Sequence, residues 1–375
     1  MVMWNWRSIM PELNRCSMLE RINNGEALVT KKICLLAWLM LWAGATFFKA
    51  TDAAAADAAD QPCSGLPMAG RYQTVDMEHD GELRRYQLRL PLGFDCQQRY
   101  PLLIGVHGYG GSGAYFAEQW AQVTALLDQH QVIAVFPDGL LASTGRLDTR
   151  AFNDFASRHD EGPDGLTCEP PPYGYLAFEN CPADEAERTC PWGVSCADDL
   201  GFFRKMITTT MERYPIAQES IWLLGYSQGG STVHGLAPGL SDLITAAVPM
   251  HGFSANGFAR GVPGPVSYLS IWGRADRSVR ADGGVGSDRL IYDSAEEHSH
   301  AWAASQSCAS DVQPWPTVSD GIEGWACSQY PNCNSGVMVV SCGWDGAHDW
   351  PRNEGRDFAW EVIWSFLLAE KDSSG

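Results

Sequence analysis

IWLLGYSQGG, residues 221–230, sets four apolar residues directly before a serine bracketed by glycines. Ile221 to Leu224 reads as a buried strand, and Gly229 to Leu236 reads as a helix. A strand that feeds a helix through so short a turn forces the intervening serine into a strained conformation. Gly225 and Gly229 remove the Cβ atoms that would collide there. Ser227 is therefore a candidate nucleophile at the carboxyl end of a strand. A serine hydroxyl is a poor nucleophile near neutral pH, so it needs an imidazole to take its proton and a carboxylate to orient that imidazole.

Outward from this turn, short apolar runs alternate with helical patterns. Leu102–Val106, Val132–Phe136, Ala246–Met250, Val266–Trp272 and Val337–Val340 have strand character. Ala114–His130, Leu200–Arg213 and Asp357–Glu370 have helical character. The alternation predicts an α/β fold, a doubly wound, mostly parallel sheet flanked by helices. Tyr86–Leu90, alternating before Pro91, predicts an antiparallel edge strand.

On an α/β-hydrolase sheet the serine is followed by Asp or Glu and then by His. The strand Val266–Trp272 runs into GRAD and so nominates Asp276, while the last strand runs into SCGWDGAHDWP and nominates His348. Asp282 and Asp288 fall deeper in a Gly-rich loop and read as turn residues. His234 and His251 do not fit the order. His298 and His300 form an H-x-H in a polar segment that reads as solvated surface rather than as a metal site. The oxyanion of an acyl-transfer step needs preorganised N–H donors. Gln228, the residue after the serine, supplies one, and Tyr109 in HGYGG, residues 107–111, supplies the other. No metal or organic cofactor is expected.

The chain has 375 residues, 45% hydrophobic, and a formal charge of -19. That charge, without blocks of Lys or Arg, excludes a nucleic-acid partner. Lys31 and Lys32 precede the apolar run Ile33–Phe48 and a tract of small residues, the pattern of a secretory signal. At about 16 residues the run is short for a spanning helix; an uncleaved membrane tether is the alternative. Residues 1–56 are thus expected to be signal and N-terminal extension, and 57–375 a single catalytic domain. Cleavage would remove Cys16 and Cys34 of the twelve cysteines and leave an even ten, which suggests up to five disulfides and export to an extracellular or periplasmic space. Four of them fall in a loop-like insertion, residues 160–197, which reads first as a stapled surface loop. Its PPPYGY offers Tyr173 and Tyr175 as substrate contacts if it instead rims the site.

Together, PLLIGVHGYGGS, VIAVFPDG, CADDLGFFRKMI, GYSQGG, SIWGRADRSV, AWAASQSC and GAHDWP resemble the secreted α/β-hydrolase esterases that include polyhydroxybutyrate depolymerases and bacterial feruloyl esterases. The resemblance implies Ser227 as nucleophile, Asp276 as acid and His348 as base, and a bridge between Cys308 and Cys333. His107, Tyr226 and Trp350, inside the matching motifs, are expected to contact substrate. The implied activity is hydrolysis of carboxylic esters by a monomer. Candidate substrates are feruloyl or acetyl esters of plant-wall polysaccharide and short polyester oligomers. The alternatives are a polyhydroxybutyrate depolymerase proper, a peptidase on the same fold, and a non-catalytic binding protein on a hydrolase scaffold.

Overall fold

Strands that are apolar along their whole length, rather than on every second residue, suit a parallel sheet covered on both faces. The computed structural model describes residues 65–374 except 144–147, 171–174, 176–177, 179, 182–188, 191–192, 317–322, 335 and 354–355. The expected signal segment and Tyr173 lie outside the described residues. Gly65–Gly375 clusters as one compact unit.

Among the described residues, the main sheet is built of β1 Tyr72–His79, β2 Glu82–Arg89, β3 Tyr100–Val106, β4 Ile133–Pro137 and β5 Ile216–Tyr226, continued by β6 Ala246–Met250, β7 Ser267–Gly273, β8 Gln313–Pro314, β9 Trp325–Tyr330 and β10 Val339–Trp344. Their spatial order is β1-β2-β4-β3-β5-β6-β7-β10-β9-β8. From β4 to β10 in that order the strands are parallel. β2 runs antiparallel to β4, and β9 antiparallel to β10. This topology is the α/β-hydrolase fold.

Alternate residues of the central strands enter opposite cores. Leu102, Ile104, Ile133, Val135, Ile221 and Leu223 face one core, whose helices are α2 Asp199–Arg213, α3 Gln228–Leu240 and α4 Ala295–Ser305. Leu103, Ala134, Phe136, Trp222 and Leu224 face the other, closed by α1 Thr124–Gln129 and α5 Phe358–Ser374. Each fully buried large apolar side chain contributes roughly 1.5–3 kcal/mol, so the central strands carry much of the stability.

Four expectations change. The strand around Tyr86 is not the edge, because β1 pairs along its outer side through eight residues, Tyr72 to His79. The helix expected over Ala114–His130 is broken into a turn at Gly113–Tyr115, a π-helical turn at Phe116–Trp120 and α1, with Gln122 at φ 50° interrupting the helical path. The last parallel strand begins two residues late and continues through SCGW, where Cys342 pairs with Cys327 of β9 in register and by disulfide. His298 is not on the surface. It is fully buried, its Nε2 accepts the Ser254 N–H at 3.0 Å, and its ring lies 3.9 Å from that of His234.

This buried pair adds an acid-sensitive contribution to stability. Burial holds His234 at about 3, against an ordinary 6.5, and pushes His298 well down. Below pH 6.5 the unfolded chain takes up protons that these two rings refuse in the native state, so the pair's contribution to stability falls as pH drops from 6.5 toward 3. His234→Leu, neutral in both states, is expected to flatten that dependence by one proton, about 1.4 kcal/mol per pH unit. Urea unfolding at a series of pH values between 6 and 4 reads it; an unchanged slope refutes the assignment.

Candidate active site

The candidate residues leave the sheet at the carboxyl ends of β3, β5, β7 and β10, where open parallel sheets place their ligands. Ser227 follows β5 with φ 56° and ψ -125°, in the left-handed half of backbone space that a side chain rarely adopts. The turn is locked by the Ser227 N–H donating to the Met250 carbonyl at 2.8 Å and by the Gly230 N–H donating to the Ser227 carbonyl at 2.7 Å. A Cβ on Gly225 would stand 2.1 Å from the Gly229 oxygen, and one on Gly229 would stand 2.3 Å from the Val106 oxygen. Neither position has room for a side chain.

The loops after β7 and β10 are laced together by their backbones. Arg274 N–H donates to Trp344 O at 2.8 Å and Ala275 N–H to Gly346 O at 2.9 Å. That lacing sets Asp276 against His348, and Ser227 completes the row. His348 Nδ1 lies 2.6 Å from Asp276 Oδ2, and His348 Nε2 lies 2.8 Å from Ser227 Oγ. An ionised carboxylate only accepts, so the imidazole proton sits on Nδ1 and the bare Nε2 accepts from the serine hydroxyl.

Burial by itself would raise the Asp276 carboxyl. Hydrogen bonds from His251 and His348 outweigh it and hold the group well below the usual carboxylate range. Its Oδ1 also accepts the N–H groups of Ser278 at 2.9 Å and Val279 at 3.0 Å. The charge is thus maintained in a nearly solvent-free place by fixed dipoles.

His251, Asp276 and His348 offer ligand atoms within 4.8 Å of one another. The donor set does not suit a metal. Both Nδ1 atoms face the same carboxylate oxygen, Trp344 Nε1–H is directed at His251 Nε2 at 3.3 Å, and the serine hydroxyl occupies His348 Nε2.

Beside the serine lies a cavity of about 240 Å³. Tyr109, Tyr175, Tyr292 and Val194 give it apolar walls, and Asp154 and Asp288 give it acidic ones. Gly108 passes directly over the nucleophile, where an added Cβ would lie 3.1 Å from Ser227 Cβ. Tyr109 and Gln228 border the same cavity. Gln228 opens α3, whose N-terminal N–H groups carry partial positive charge, and its side chain is pinned to Phe152 O at 2.7 Å.

Curated proteins similar in sequence to this chain are named as esterases. No family model matches the chain. Probable feruloyl esterase C of Aspergillus niger is 23% identical over 289 residues, 76% of this chain and 84% of that protein. Feruloyl esterase C of Emericella nidulans is 21% identical over 292 residues, with 76% and 84% covered. Among solved structures, acetyl xylan esterase from Aspergillus awamori covers 78% of this chain and 99% of its own, at 11% identity and a TM-score of 0.48. The chain is similar to feruloyl esterases.

Three residues expected at the substrate are elsewhere. His107 is buried, with Nδ1 donating to Gly108 O at 2.7 Å and Nε2 accepting from Gly139 N–H at 2.9 Å, so it braces the glycine loop from below. Burial lowers it to about 4, which keeps it neutral. Trp350 is buried as well, and its Nε1–H is held by the Asp357 carboxylate at 2.9 Å. Tyr226 packs behind the site, 5.5 Å from the His348 ring and 5.3 Å from Trp120.

The insertion is more than a surface loop. Cys168–Cys190 and Cys181–Cys196 staple it, and Cys168, Cys190 and Val194 share a small core with Val279, Leu290 and Tyr292 from the loop beyond Asp276. Tyr175 reaches the cavity and donates to Asp288 at 3.1 Å, where Tyr292 also donates at 2.8 Å. Asp288 is the turn residue that the sequence reads, its Oδ1 accepting the Leu290 N–H at 3.1 Å, and it is also part of the wall. Cys308 and Cys333 are bonded as the resemblance implies, and Cys96 is also in a disulfide.

Proposed function

We propose that the protein is a secreted serine esterase acting on carboxylic esters, with feruloyl or acetyl esters of plant-wall polysaccharide as its substrate class. The observation that carries this reading is the unbroken row from Ser227 Oγ through His348 to Asp276 at 2.8 and 2.6 Å. As Ser227 Oγ bonds to the ester carbonyl carbon, its proton passes to His348 Nε2, and the carbonyl electrons move to oxygen. The N–H groups of Gln228 and Tyr109 receive that oxyanion. Collapse expels the alcohol, which takes the proton from His348, and water repeats the sequence to release the acid.

A cavity of about 240 Å³ with tyrosine walls suits one acyl group and leaves the alcohol side in solvent. That volume is below the ~300–1,000 Å³ of sites that enclose a whole drug-sized ligand. The feruloyl and acetyl xylan esterase names of the similar proteins support the same class. Four described disulfides favour an oxidising compartment. No helix among the described residues is long and apolar enough to cross a membrane.

The test is a panel of methyl ferulate, p-nitrophenyl acetate and hydroxybutyrate oligomers, with a fluorophosphonate probe mapped by mass spectrometry. The feruloyl or acetyl ester is expected to turn over and the probe to modify Ser227. Turnover of none of these esters, or a label on another residue, overturns the reading.

A further inference from the structure

His251 stands outside the serine, acid, histidine order, yet the fold brings it to the acid. It follows β6 directly, at φ 49°, a strained backbone for a residue with a Cβ. Its N–H donates to the Ile271 carbonyl of β7 at 2.9 Å, and its side chain is removed from solvent. Strain in a buried, polar, titratable residue calls for an account, and its hydrogen bonds supply one. Trp344 Nε1, which can only donate, lies 3.3 Å from His251 Nε2. That bond requires a bare Nε2, so the single proton of the neutral ring is on Nδ1. His251 Nδ1 lies 3.1 Å from Asp276 Oδ2, the same oxygen that takes His348 Nδ1–H at 2.6 Å.

We propose that His251, with its tautomer set by Trp344, is a positioning residue: its Nδ1–H fixes the Asp276 carboxylate in the orientation that His348 needs. The inference rests on the esterase reading. Asp276 Oδ1 is already held by two backbone N–H groups, so a single donor on Oδ2 would leave the carboxylate free to swing about the Oδ1 side. A second donor on Oδ2, with its ring 5.4 Å from that of His348 and inclined at 76°, closes that freedom from another direction. Tyr226 packs against both rings, at 5.7 Å from His251 and 5.5 Å from His348, and keeps the pair from separating. Burial lowers the His251 imidazole, so it stays neutral and does not bring a competing positive charge toward His348.

The geometry also accounts for why the residue is histidine. The amide nitrogen of an asparagine can replace Nδ1, whereas an aliphatic side chain offers Asp276 nothing. His251→Leu is expected to lower kcat for p-nitrophenyl acetate about 10–100-fold with KM within about twofold. His251→Asn is expected to keep kcat within about fivefold of wild type. The wild-type protein supplies an independent readout that no folding defect can obscure. Long-range ¹H–¹⁵N correlation spectra are expected to show His251 protonated at Nδ1 and bare at Nε2. Thermal unfolding of both variants is measured alongside.

Full kcat in His251→Leu, equal losses in the Leu and Asn variants, or an Nε2–H tautomer in the wild type would each overturn the proposal. Retention of activity by Ser227→Ala in the same assay instead overturns the esterase reading itself, so the two failures are distinguishable.

Discussion

Ser227→Ala is expected to reduce ester hydrolysis by at least about 10⁴-fold while leaving the unfolding temperature within a degree or two of wild type. The activity loss follows because, among the described residues, the hydroxyl 2.8 Å from His348 Nε2 is that of Ser227. The unchanged stability follows because the turn is held by the backbone of residue 227, not by its hydroxyl. The bonds from Ser227 N–H to Met250 and from Gly230 N–H to the Ser227 carbonyl survive the substitution. Alanine adopts φ 56° at the same steric cost as serine. Steady-state kinetics and a thermal melt of the same preparation decide it. Full hydrolysis by the alanine variant would remove the serine from the mechanism, and a collapsed melt would show that the hydroxyl had been structural.

Asp276→Asn is expected to cost about 10⁴-fold in kcat, and unlike the serine change it is expected to destabilise the fold as well, by about 1–3 kcal/mol. The carboxylate accepts from four N–H groups: His251 and His348 on one oxygen, Ser278 and Val279 on the other. An amide has only one oxygen to offer. Its NH₂ group faces either the two imidazoles or the two backbone donors, and in both orientations buried donor meets donor. Moving the His348 proton to Nε2 relieves the clash at one ring, but it takes away the lone pair that must receive the serine proton. Kinetics together with urea unfolding separate the two effects. An asparagine variant as stable and active as wild type would show that residue 276 is not the charge behind His348.

The parts of this site that the sequence discloses are those governed by local chemistry and chain order. Ser227 is visible because the glycines beside it have a steric reason to be there. Asp276 and His348 are visible because each follows an apolar strand in the order that the topology demands. The central strands are legible for a similar reason, since burial on both faces leaves uninterrupted apolar runs.

β9 is not legible. WACSQY mixes polar and apolar residues on a strand that is only half covered, and it becomes a strand through pairing with β10. Asp288 and Tyr292 are hidden because their role exists only once Tyr175 arrives from more than a hundred residues away. His107 and Trp350 show the opposite error. Each stands inside a motif that surrounds the site, but its polar atoms are already engaged with the scaffold. His251 fails the order rule for a simple reason: that rule locates one histidine per carboxylate, and here two share it.

The insertion closes loops spanning 22 and 15 residues by its two bridges, each worth about 3 kcal/mol of lost freedom in the unfolded chain. The side of the cavity formed by Tyr175 and Val194 depends on those bonds, whereas the parallel sheet beneath carries its own core. Completion of the recess and formation of the sheet's two cores are therefore separable events. A chain made where thiols stay reduced would assemble the row from Ser227 to Asp276 but lack the finished wall that Tyr175 and Val194 give the cavity.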